Sequence, residues 1–228
     1  MSIKLRTFYE IGNMVNADPM VVVFENFLSE LEVQQLIGTA ASRLEPALVS
    51  DEKNGVQSPS RTGHTCWITH DHNPIIEDLS LRVAEIVGMP LENAESLQVV
   101  HYGESQQYLP HFDAWDADTE LGKRCMARGG QRLVTCLLYL NDVEHGGGTS
   151  FPKLDMEVRP IKHRMLLFHN CYPGTNQRHP GSLHGGMPVL KGEKWACNFW
   201  FRESSYLLPP ASQQHNGGVP PPEYKRII

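Results

Sequence analysis

The sequence lacks the features that mark several common protein classes. Its cysteines are odd in number and none form a C-x-x-C pair; they are Cys66, Cys125, Cys136, Cys171 and Cys197. We therefore expect reduced thiols in a cytoplasmic compartment, rather than a disulfide framework or a structural zinc site. Acidic residues outnumber basic residues by 26 to 20, so the chain has no basic field that would attract nucleic acid through its phosphates.

Long apolar runs are also absent. The stretch from Met1 to Met14 mixes polar and apolar side chains, and no long apolar run follows its early basic residues. This pattern argues against a signal peptide. No segment approaches the roughly 20 apolar residues that a membrane-spanning helix needs. We therefore expect a protein that has no membrane partner.

The overall composition suits one globular domain. Of the 228 residues, 40% are hydrophobic and 20% are charged, which is enough apolar material for a sizeable core. We expect residues 1–208 to form a single domain, in which helices and strands of 1–95 pack on a core at 96–202. Residues 209–228, which include Pro220-Pro221-Pro222, are expected to form an extended tail.

The N-terminal part predicts a strand and two helices. Residues 20–24 form a short β-branched run that is typical of a buried strand. Ser29 is followed three residues later by Glu32, a capping-box pattern that predicts a helix to about residue 42. Asn73-Pro74 predicts the start of a second helix, which Gly88 would end.

Two segments are candidates for lids over a binding site. Residues 48–64 are polar and contain two glycines and a proline, so they predict a mobile loop. Residues 114–130 form a second long polar connection, and 171–187 a third that is rich in glycine. Loops of this length inside a domain are usually functional. The first two are the ones we expect to close over a substrate.

From residue 96 onward the sequence predicts a β structure. Five stretches of five to nine residues are typical of strands and are separated by turn-forming residues; they are Leu97 to Tyr102, Gln107 to Phe112, Arg132 to Leu140, Met165 to His169 and Trp195 to Phe201. Many short strands with turn signals favour an antiparallel sandwich or barrel. The expected fold is mainly β with flanking helices.

His111 and Asp113 are the first candidates for chemistry. On a strand, residues i and i+2 point to the same face, so one strand can present an imidazole and a carboxylate to one metal. A histidine from elsewhere would complete two histidines and one carboxylate, which leave open the positions that a non-haem iron(II) oxygenase needs. A surface histidine near a solvated aspartate is the alternative interpretation of this pair.

The third ligand stays open from the residues alone. His169 ends an apolar run and is equally typical of a packed core histidine. His179 precedes a proline in a loop, where a solvated side chain is expected. His184 lies ten residues before Lys194, in a Gly-rich segment.

Lys194 is a candidate for holding a co-substrate. When 2-oxoglutarate chelates iron, its far carboxylate lies deeper in the barrel and needs a cation. A lysine on a neighbouring strand can reach inward while its methylenes stay in apolar packing. Tyr102 and Thr149 lie on plausible neighbouring strands, where their hydroxyls would assist. A solvated lysine next to Glu193 is the alternative interpretation.

Several blocks together resemble the prolyl 4-hydroxylase family of 2-oxoglutarate dioxygenases. They occur in family order and comprise Tyr102-Gly103, Tyr108-Leu109-Pro110-His111-Phe112-Asp113, Gly129-Gly130-Gln131-Arg132-Leu133-Val134-Thr135, Tyr139-Leu140-Asn141-Asp142-Val143, Gly147-Gly148-Thr149-Ser150-Phe151-Pro152, Ser182-Leu183-His184-Gly185-Gly186-Met187-Pro188-Val189 and Gly192-Glu193-Lys194-Trp195. Ordered blocks of this kind are far more specific than a single motif.

The resemblance implies a catalytic domain with a double-stranded β-helix core, which is jelly-roll or cupin-like. It implies iron(II) on His111, Asp113 and His184, and 2-oxoglutarate on Lys194. The remaining implied residues assist the lysine (Tyr102, Thr149), line the active site near the substrate (Tyr108, Arg132, Trp200) or bind peptide (Arg61, Glu95). It also implies ascorbate as a cofactor, which would rescue iron oxidised in uncoupled cycles.

The resemblance implies 4-hydroxylation of proline in a peptide or protein, with succinate and carbon dioxide as co-products. The same chemistry on a free amino acid or other small molecule is an alternative, and a non-catalytic cupin-like module or a zinc hydrolase is a remote one. Three positions depart from the family pattern. Gly63 replaces a common serine, whereas Ser105 and His163 replace frequent glycines, and these departures bear on the substrate more than on the chemistry.

Overall fold

A computed structural model of the chain describes residues 5–49 and 56–206. Its strands are β1 (Asn13–Ala17), β2 (Met20–Phe24), β3 (Glu45–Pro46), β4 (His64–Ile68), β5 (Leu97–Tyr102), β6 (Tyr108–His111), β7 (Arg132–Tyr139), β8 (His145–Gly146), β9 (Thr149–Phe151), β10 (Met156–Val158), β11 (Met165–His169), β12 (His184–Gly186), β13 (Val189–Lys191) and β14 (Lys194–Arg202). Its α-helices are α1 (Glu30–Ala41), α2 (Pro74–Val87) and α3 (Glu120–Met126).

The two predicted helices form where the capping residues place them. The Ser29 hydroxyl accepts from the Glu32 backbone N–H at 3.3 Å, and the Glu32 carboxylate accepts from the Ser29 N–H at 2.8 Å. This reciprocal pair starts α1. The Asn73 side chain caps α2, and Gly88, with φ of 75°, ends that helix in the left-handed conformation. Both predictions are confirmed.

Two antiparallel sheets build the jelly-roll core that we expected. The larger sheet has the strand order β1-β2-β11-β7-β14-β5-β4-β3, and the smaller has the order β10-β9-β12-β6. A two-stranded ribbon of β13 and β8 accompanies them. Helices α1 and α2 pack against each other and contribute to the same apolar cluster as one face of the larger sheet. The mainly β fold class with flanking helices is thus confirmed.

Alternation along the central strands separates two environments. In β14, Trp195, Cys197 and Phe199 belong to the core beneath the helices, whereas Lys194, Ala196, Asn198 and Trp200 line a cavity inside the barrel. Strands β5 and β7 alternate in the same way, because successive side chains of a strand point to opposite faces. The helices therefore cover the outer face of the sheet, whereas the side chains of its inner face line the cavity.

The sequence analysis was wrong about two of the long connections. Residues 114–130 contain α3, which begins at Thr119, whose hydroxyl accepts from the Gly122 N–H at 3.0 Å. Residues 171–187 contain a short 3-10 helix at Pro180–Ser182 and then β12. We also missed eight strands. Most have only two or three residues, too few for a repeat of period two to be visible in the sequence.

Two predictions fall wholly or partly outside the described residues. Of the predicted loop 48–64, the model describes 48–49 and 56–64, where Val49 and Val56 form a β-bridge and β4 begins at His64. The tail predicted at 209–228 lies outside the described part of the chain. Among the described helices, none has the length and apolar content needed to cross a membrane.

Two of the departures from the family pattern fall on unusual backbone. Ser105 has φ of 68° and His163 has φ of 70°. In this region glycine avoids a steric cost of roughly 1–2 kcal/mol that other residues bear. The His163 ring compensates in part, since its Nδ1 lies 2.6 Å from the Leu28 carbonyl oxygen. Ser105 and His163 therefore adopt the left-handed backbone conformation that glycine favours.

Candidate active site

A pair of neighbouring strands brings two histidines together. Strands β6 and β12 are antiparallel, and their register places His111 directly opposite His184. Asp113 lies two residues beyond His111, just past the end of β6, and is 5% exposed. Ligand atoms of the three residues all lie within 4.8 Å of one another. The structure thus brings together the three side chains that the sequence analysis assigned to a metal.

Hydrogen bonds turn both imidazoles toward Asp113. Nδ1 of His111 lies 2.9 Å from the Leu109 carbonyl oxygen, and Nδ1 of His184 lies 2.9 Å from the Ser182 carbonyl oxygen. Because a carbonyl only accepts, each Nδ1 carries the proton and each Nε2 presents a lone pair. The Nε2 atoms lie 3.7 Å and 3.5 Å from the Asp113 carboxylate oxygens.

The Asp113 carboxylate is held by its own set of donors. The Thr135 hydroxyl donates to its Oδ2 at 2.7 Å, and the Trp200 indole N–H donates to the same oxygen at 2.9 Å. The Asn170 amide donates to Thr135 at 2.8 Å and fixes the hydroxyl. One guanidinium nitrogen of Arg132 lies 3.9 Å from Oδ1. These contacts orient the carboxylate toward the two imidazoles.

The protonation states of the triad suit metal binding. Burial, together with the neighbouring His184, lowers the pKa of His111 to about 3. Burial alone would raise the pKa of Asp113, but the two imidazoles and Arg132 outweigh burial and hold it well below its usual range. At neutral pH the site therefore offers a neutral imidazole and a carboxylate, the forms that coordinate cations. Two nitrogens and one carboxylate on one side are the donor set of non-haem iron(II).

The other candidate histidines lie elsewhere. The Nε2 atom of His169 lies 3.0 Å from the Tyr9 hydroxyl, and His169 does not line the cavity. The ring of His179 accepts from the Gly181 N–H at 3.0 Å and so caps a short helix. In the described part of the chain, the three residues named above are the one group placed to hold a metal. Of the three candidate histidines, His184 is the one that the structure places beside His111 and Asp113.

A cavity of about 160 Å³ extends from this triad into the barrel. Its deep wall carries Lys194, which is 4% exposed and pairs across the sheet with Tyr102. Thr149 also lines it, as do the apolar side chains of Val100, Leu137, Phe168 and Ala196. The residues expected to hold a co-substrate therefore share one cavity with the residues expected to hold the metal.

The Lys194 ammonium has no ion-pair partner among the described residues. Burial lowers its pKa to about 8, and Glu157 only partly opposes this. Its Nζ lies 5.5 Å from the centre of the Tyr139 ring. A buried cation without a counter-ion is costly, unless an anion binds beside it. The cavity is thus built to receive a negative charge at its deep end.

Tyr139 is a site residue that the sequence analysis missed. Its hydroxyl lies 2.7 Å from the Thr149 hydroxyl, and its ring is fully buried under Lys194. A signal was available, because Thr135, Leu137 and Tyr139 follow one another at every second position of the same predicted strand. Once Thr135 is placed beside Asp113, alternation carries Tyr139 to the same face.

Arg132 forms one side of the cavity and is fixed by aromatic rings and by an anion. Its guanidinium lies 3.9 Å from the centre of the Trp200 ring and 4.7 Å from that of Trp115. Glu95 accepts two hydrogen bonds from it, at 2.6 and 2.7 Å, and a third from Arg202 at 2.6 Å. Such bidentate pairing fixes the plane of the guanidinium.

Glu95 is therefore not placed where the resemblance implied. It was expected to contact peptide, but it is 4% exposed and does not line the cavity. Burial alone would raise its pKa, yet the guanidiniums of Arg132 and Arg202 outweigh burial and lower it. Its role in this geometry is to hold Arg132. Arg202, which the sequence analysis did not single out, completes the arrangement.

The mouth of the cavity is lined by aromatic rings and by Arg61. Tyr108 stacks on His111 with ring centres 3.6 Å apart, and the Arg61 guanidinium lies 4.8 Å above the Tyr108 ring. Two Arg61 nitrogens donate to Leu48 and Gln98, whereas its buried Nε has no partner among the described residues. Trp67 is 45% exposed and lies 6.1 Å from Trp200, ring centre to ring centre.

The packing around Gly63 explains why this position has no side chain, the remaining departure from the family pattern. A Cβ atom at this position would lie 2.5 Å from two carbons of the Tyr102 ring, closer than any side chain tolerates. Tyr102 packs directly on the glycine backbone and is 6% exposed. In this chain the absence of a serine side chain therefore makes room for a cavity residue.

Comparison with known proteins identifies relatives of this chain. The family model described as the 2OG-Fe(II) oxygenase superfamily matches residues 97–202. Prolyl 4-hydroxylase 5 of Arabidopsis thaliana is 35% identical to this chain, over 86% of this chain and 72% of that protein. A putative prolyl 4-hydroxylase of Acanthamoeba polyphaga mimivirus is 31% identical, over 90% of this chain and 83% of that protein.

A solved structure shares the fold. The viral collagen prolyl hydroxylase of Paramecium bursaria Chlorella virus-1, in its 2-oxoglutarate complex, superposes with a TM-score of 0.64 and 28% identity. The match covers 80% of this chain and 95% of that one. The residues that the family model matches, 97–202, include His111, Asp113, His184 and Lys194.

Proposed function

The chain belongs to the prolyl 4-hydroxylase family of iron(II)- and 2-oxoglutarate-dependent oxygenases, and on that premise we propose that it hydroxylates proline residues at C4 in a peptide or protein. In this reaction one atom of dioxygen enters the proline, and the other enters succinate as 2-oxoglutarate loses carbon dioxide. The observation that carries the proposal is the joint placement of the His–Asp–His triad and a buried, unpaired lysine in one cavity.

Iron(II) would be held by Nε2 of His111, Nε2 of His184 and the Asp113 carboxylate. When bound there, iron supplies the activation of dioxygen that no protein side chain can perform. The chain contributes orientation, since each ligand is fixed by a hydrogen bond on its other side. Such outer contacts set both the position and the basicity of the ligands.

Lys194 would bind the carboxylate of 2-oxoglutarate that points away from the metal. The Thr149 and Tyr102 hydroxyls lie along the same cavity and are suited to share that carboxylate. The apolar walls formed by Leu137 and Phe168 exclude water, and exclusion of water strengthens the ion pair. The lysine thus serves as a buried point charge for that carboxylate.

The mouth of the cavity suits a proline-containing segment. Such a segment is extended, offers backbone carbonyl oxygens as acceptors and lacks an N–H at each proline. Recognition therefore depends on aromatic surfaces and on hydrogen-bond donors. Trp67 and Trp200 supply the surfaces, and the Arg61 guanidinium lies at the same mouth above the Tyr108 ring. Arg132, held between Trp115 and Trp200, supplies a charged wall near the reacting carbon.

We include ascorbate and a reducing compartment in the proposal. Ascorbate would return iron to its reduced form after cycles in which no substrate is hydroxylated. All five cysteines carry free thiols, and four of them are buried, which suits a cytoplasmic setting.

A coupled assay tests the function. The chain is supplied with iron(II), 2-oxoglutarate, ascorbate and a proline-rich peptide, and both succinate and the mass of the peptide are measured. We expect one succinate for each oxygen atom gained by the peptide, at C4 of proline. Succinate formed with free amino acids and not with peptides would favour the small-molecule alternative. Wild-type succinate formation by an Asp113→Ala variant would refute the site itself.

A further inference from the structure

The lysine that we assign to 2-oxoglutarate is the first residue of its strand. Lys194 begins β14 and follows a turn in which Gly192 has φ of 86°. On one side of the strand it pairs with Tyr102 of β5. On the other side, the ladder with β7 has Ala196 opposite Tyr139 as its last pair at this end, so Lys194 lies beyond that ladder. Strand pairing therefore holds the lysine on one side only.

The Asn141 side chain takes the place of the missing strand pairing. Strand β7 ends at Tyr139, and Asn141 follows two residues later. Its Oδ1 accepts from the Trp195 backbone N–H at 2.6 Å, and its Nδ2 donates to the Glu193 carbonyl oxygen at 2.8 Å. These two backbone groups belong to the residues directly after and directly before Lys194. One amide side chain therefore clasps the backbone on both sides of the lysine.

The two backbone partners require both a donor and an acceptor at position 141. The Trp195 N–H can only donate and the Glu193 carbonyl can only accept, and an asparagine amide offers both functions on one short side chain. Nδ2 of Asn141 also donates to the Asp142 carbonyl oxygen at 2.9 Å, which ties the clasp to the turn after β7. The Leu140 N–H donates to the Trp195 carbonyl oxygen at 2.9 Å. The clasp thus continues the contact between the two segments from the point where the backbones separate.

The direction of the Lys194 side chain depends on this backbone. Its ammonium forms no ion pair with any residue that the structure describes, and Nζ lies 5.5 Å from the centre of the Tyr139 ring. Its stem passes Gly147, where an added Cβ would lie 3.6 Å from the lysine Cδ. Because a four-carbon stem is flexible, a shift at its base would move the ammonium within the cavity. A binding group holds its position only as well as the residues behind it allow.

We propose that Asn141 is a positioning residue for Lys194 and thereby sets the affinity for 2-oxoglutarate, an inference that rests on the proposed function. Asn141 is half-buried and does not line the cavity. It therefore acts on the co-substrate through the lysine and not by direct contact. The clasp fixes the backbone from which the Lys194 side chain enters the cavity, so that the ammonium meets the far carboxylate of the keto acid.

The test compares two keto acids that differ at one end. 2-Oxoglutarate carries the far carboxylate, whereas 2-oxopentanoate has the same keto acid group and ends in a methyl group. Both dissociation constants are measured by anaerobic titration of the iron(II)-loaded full-length chain, followed by the visible charge-transfer band of the chelate. In Asn141→Ala the constant for 2-oxoglutarate should rise about tenfold, since a displacement of roughly 1 Å can cost up to about a hundredfold. The constant for 2-oxopentanoate should stay unchanged.

Further variants show whether the effect passes through the lysine. In a Lys194→Ala chain, Asn141→Ala should cause no additional loss of affinity for 2-oxoglutarate, because no ammonium remains to be positioned. Asn16→Ala is the matched control, since the Asn16 amide also holds a turn, donating to the Pro19 carbonyl oxygen at 2.7 Å in the hairpin of β1 and β2. It should keep both wild-type affinities. Asn141→Asp, which keeps the acceptor and lacks the amide donor, should shift the same affinity in the same direction and replaces Asn141→Ala if that variant does not fold.

Three outcomes would overturn the proposal. If the folded Asn141 variant binds 2-oxoglutarate as tightly as the wild type does, the inference fails and the proposed function stands. Equal losses of affinity for both keto acids, or a further loss in the Lys194→Ala chain, would give Asn141 a general structural role in place of this one. If the wild-type chain gives no band with either keto acid, the proposed function fails together with the inference.

Discussion

His111 and His184 face each other across a pair of antiparallel strands, and each donates its Nδ1–H to the carbonyl oxygen two residues before it. The two rings are therefore oriented by the same local device on opposite strands. As a result both Nε2 atoms point toward Asp113. Backbone carbonyls orient the two imidazoles and side-chain donors orient the carboxylate, so each member can be tested separately.

The indole of Trp200 is predicted to set the affinity for iron. It donates to the Asp113 carboxylate at 2.9 Å, so Trp200→Phe removes one donor while keeping an aromatic ring against Arg132. Loss of an outer contact to a metal ligand typically costs about 10–100-fold in affinity. We expect the iron(II) concentration for half-maximal succinate formation to rise by about that factor. Trp67→Phe, which keeps the ring contact to Trp200 and makes no bond to Asp113, serves as the control. An equal effect of both variants would contradict the assignment.

Lys194 is predicted to dominate the binding of 2-oxoglutarate. Truncation to alanine removes the cation from the deep end of the cavity, so the KM for 2-oxoglutarate should rise by about 100-fold or more, as expected for the loss of a buried charge pair. Lys191→Ala is the matched control, since that lysine is exposed and pairs with Glu144 on the surface. Steady-state succinate assays measure both. An unchanged KM in Lys194→Ala would remove this residue from the co-substrate site.

The affinity for 2-oxoglutarate should fall as the pH rises above about 8. Burial lowers the pKa of Lys194 to about 8, so above this pH the free enzyme carries a neutral amine. The carboxylate requires the protonated form, and binding must then take up a proton. The KM should therefore increase about tenfold per pH unit above 8 and stay level below it. Lys194→Arg, whose guanidinium stays charged, should lose this dependence. A flat profile in the wild type would contradict the burial of an unpaired ammonium.

Glu95 is predicted to hold both the fold and Arg132. Its carboxylate is buried and bridges the guanidiniums of Arg132 and Arg202, so Glu95→Gln would remove the negative charge that these two cations share. The free energy of unfolding in urea should fall by about 3–5 kcal/mol. Below the unfolding transition, the KM for peptide should rise while the KM for 2-oxoglutarate stays unchanged, because Lys194 lies elsewhere. The exposed Glu10→Gln is the control. Wild-type stability and peptide KM in Glu95→Gln would refute this role.

Local signals in the sequence were sufficient for α1, α2 and the central strands. The capping box at Ser29, the Asn73-Pro74 start and the apolar run of β11 each act within a few residues. The His-x-Asp pair was equally local, because alternation along one strand decides which way both side chains point. These features need no knowledge of distant parts of the chain.

The remaining features depend on contacts between distant segments. His184 comes to lie beside His111 and Asp113 only through the register of β12 on β6, and β12 has three residues, too few to show a period. Glu95 meets Arg132 and Arg202 only after β5, β7 and β14 are paired side by side. The family resemblance implied His184 as a metal ligand and Glu95 as a peptide-binding residue. Only the structure shows that the Glu95 carboxylate accepts two hydrogen bonds from Arg132 and so orients its guanidinium.

The metal and co-substrate site can be checked by anaerobic titration of the metal-free chain with iron(II) and 2-oxoglutarate. We expect one iron per chain and a weak visible charge-transfer band that saturates at one equivalent of 2-oxoglutarate. Asp113→Ala and His184→Ala should lose the band, whereas Asp118→Ala, at an exposed position outside the cavity, should retain it. A band of full intensity in Asp113→Ala and His184→Ala would show that iron and 2-oxoglutarate bind elsewhere and would contradict the account.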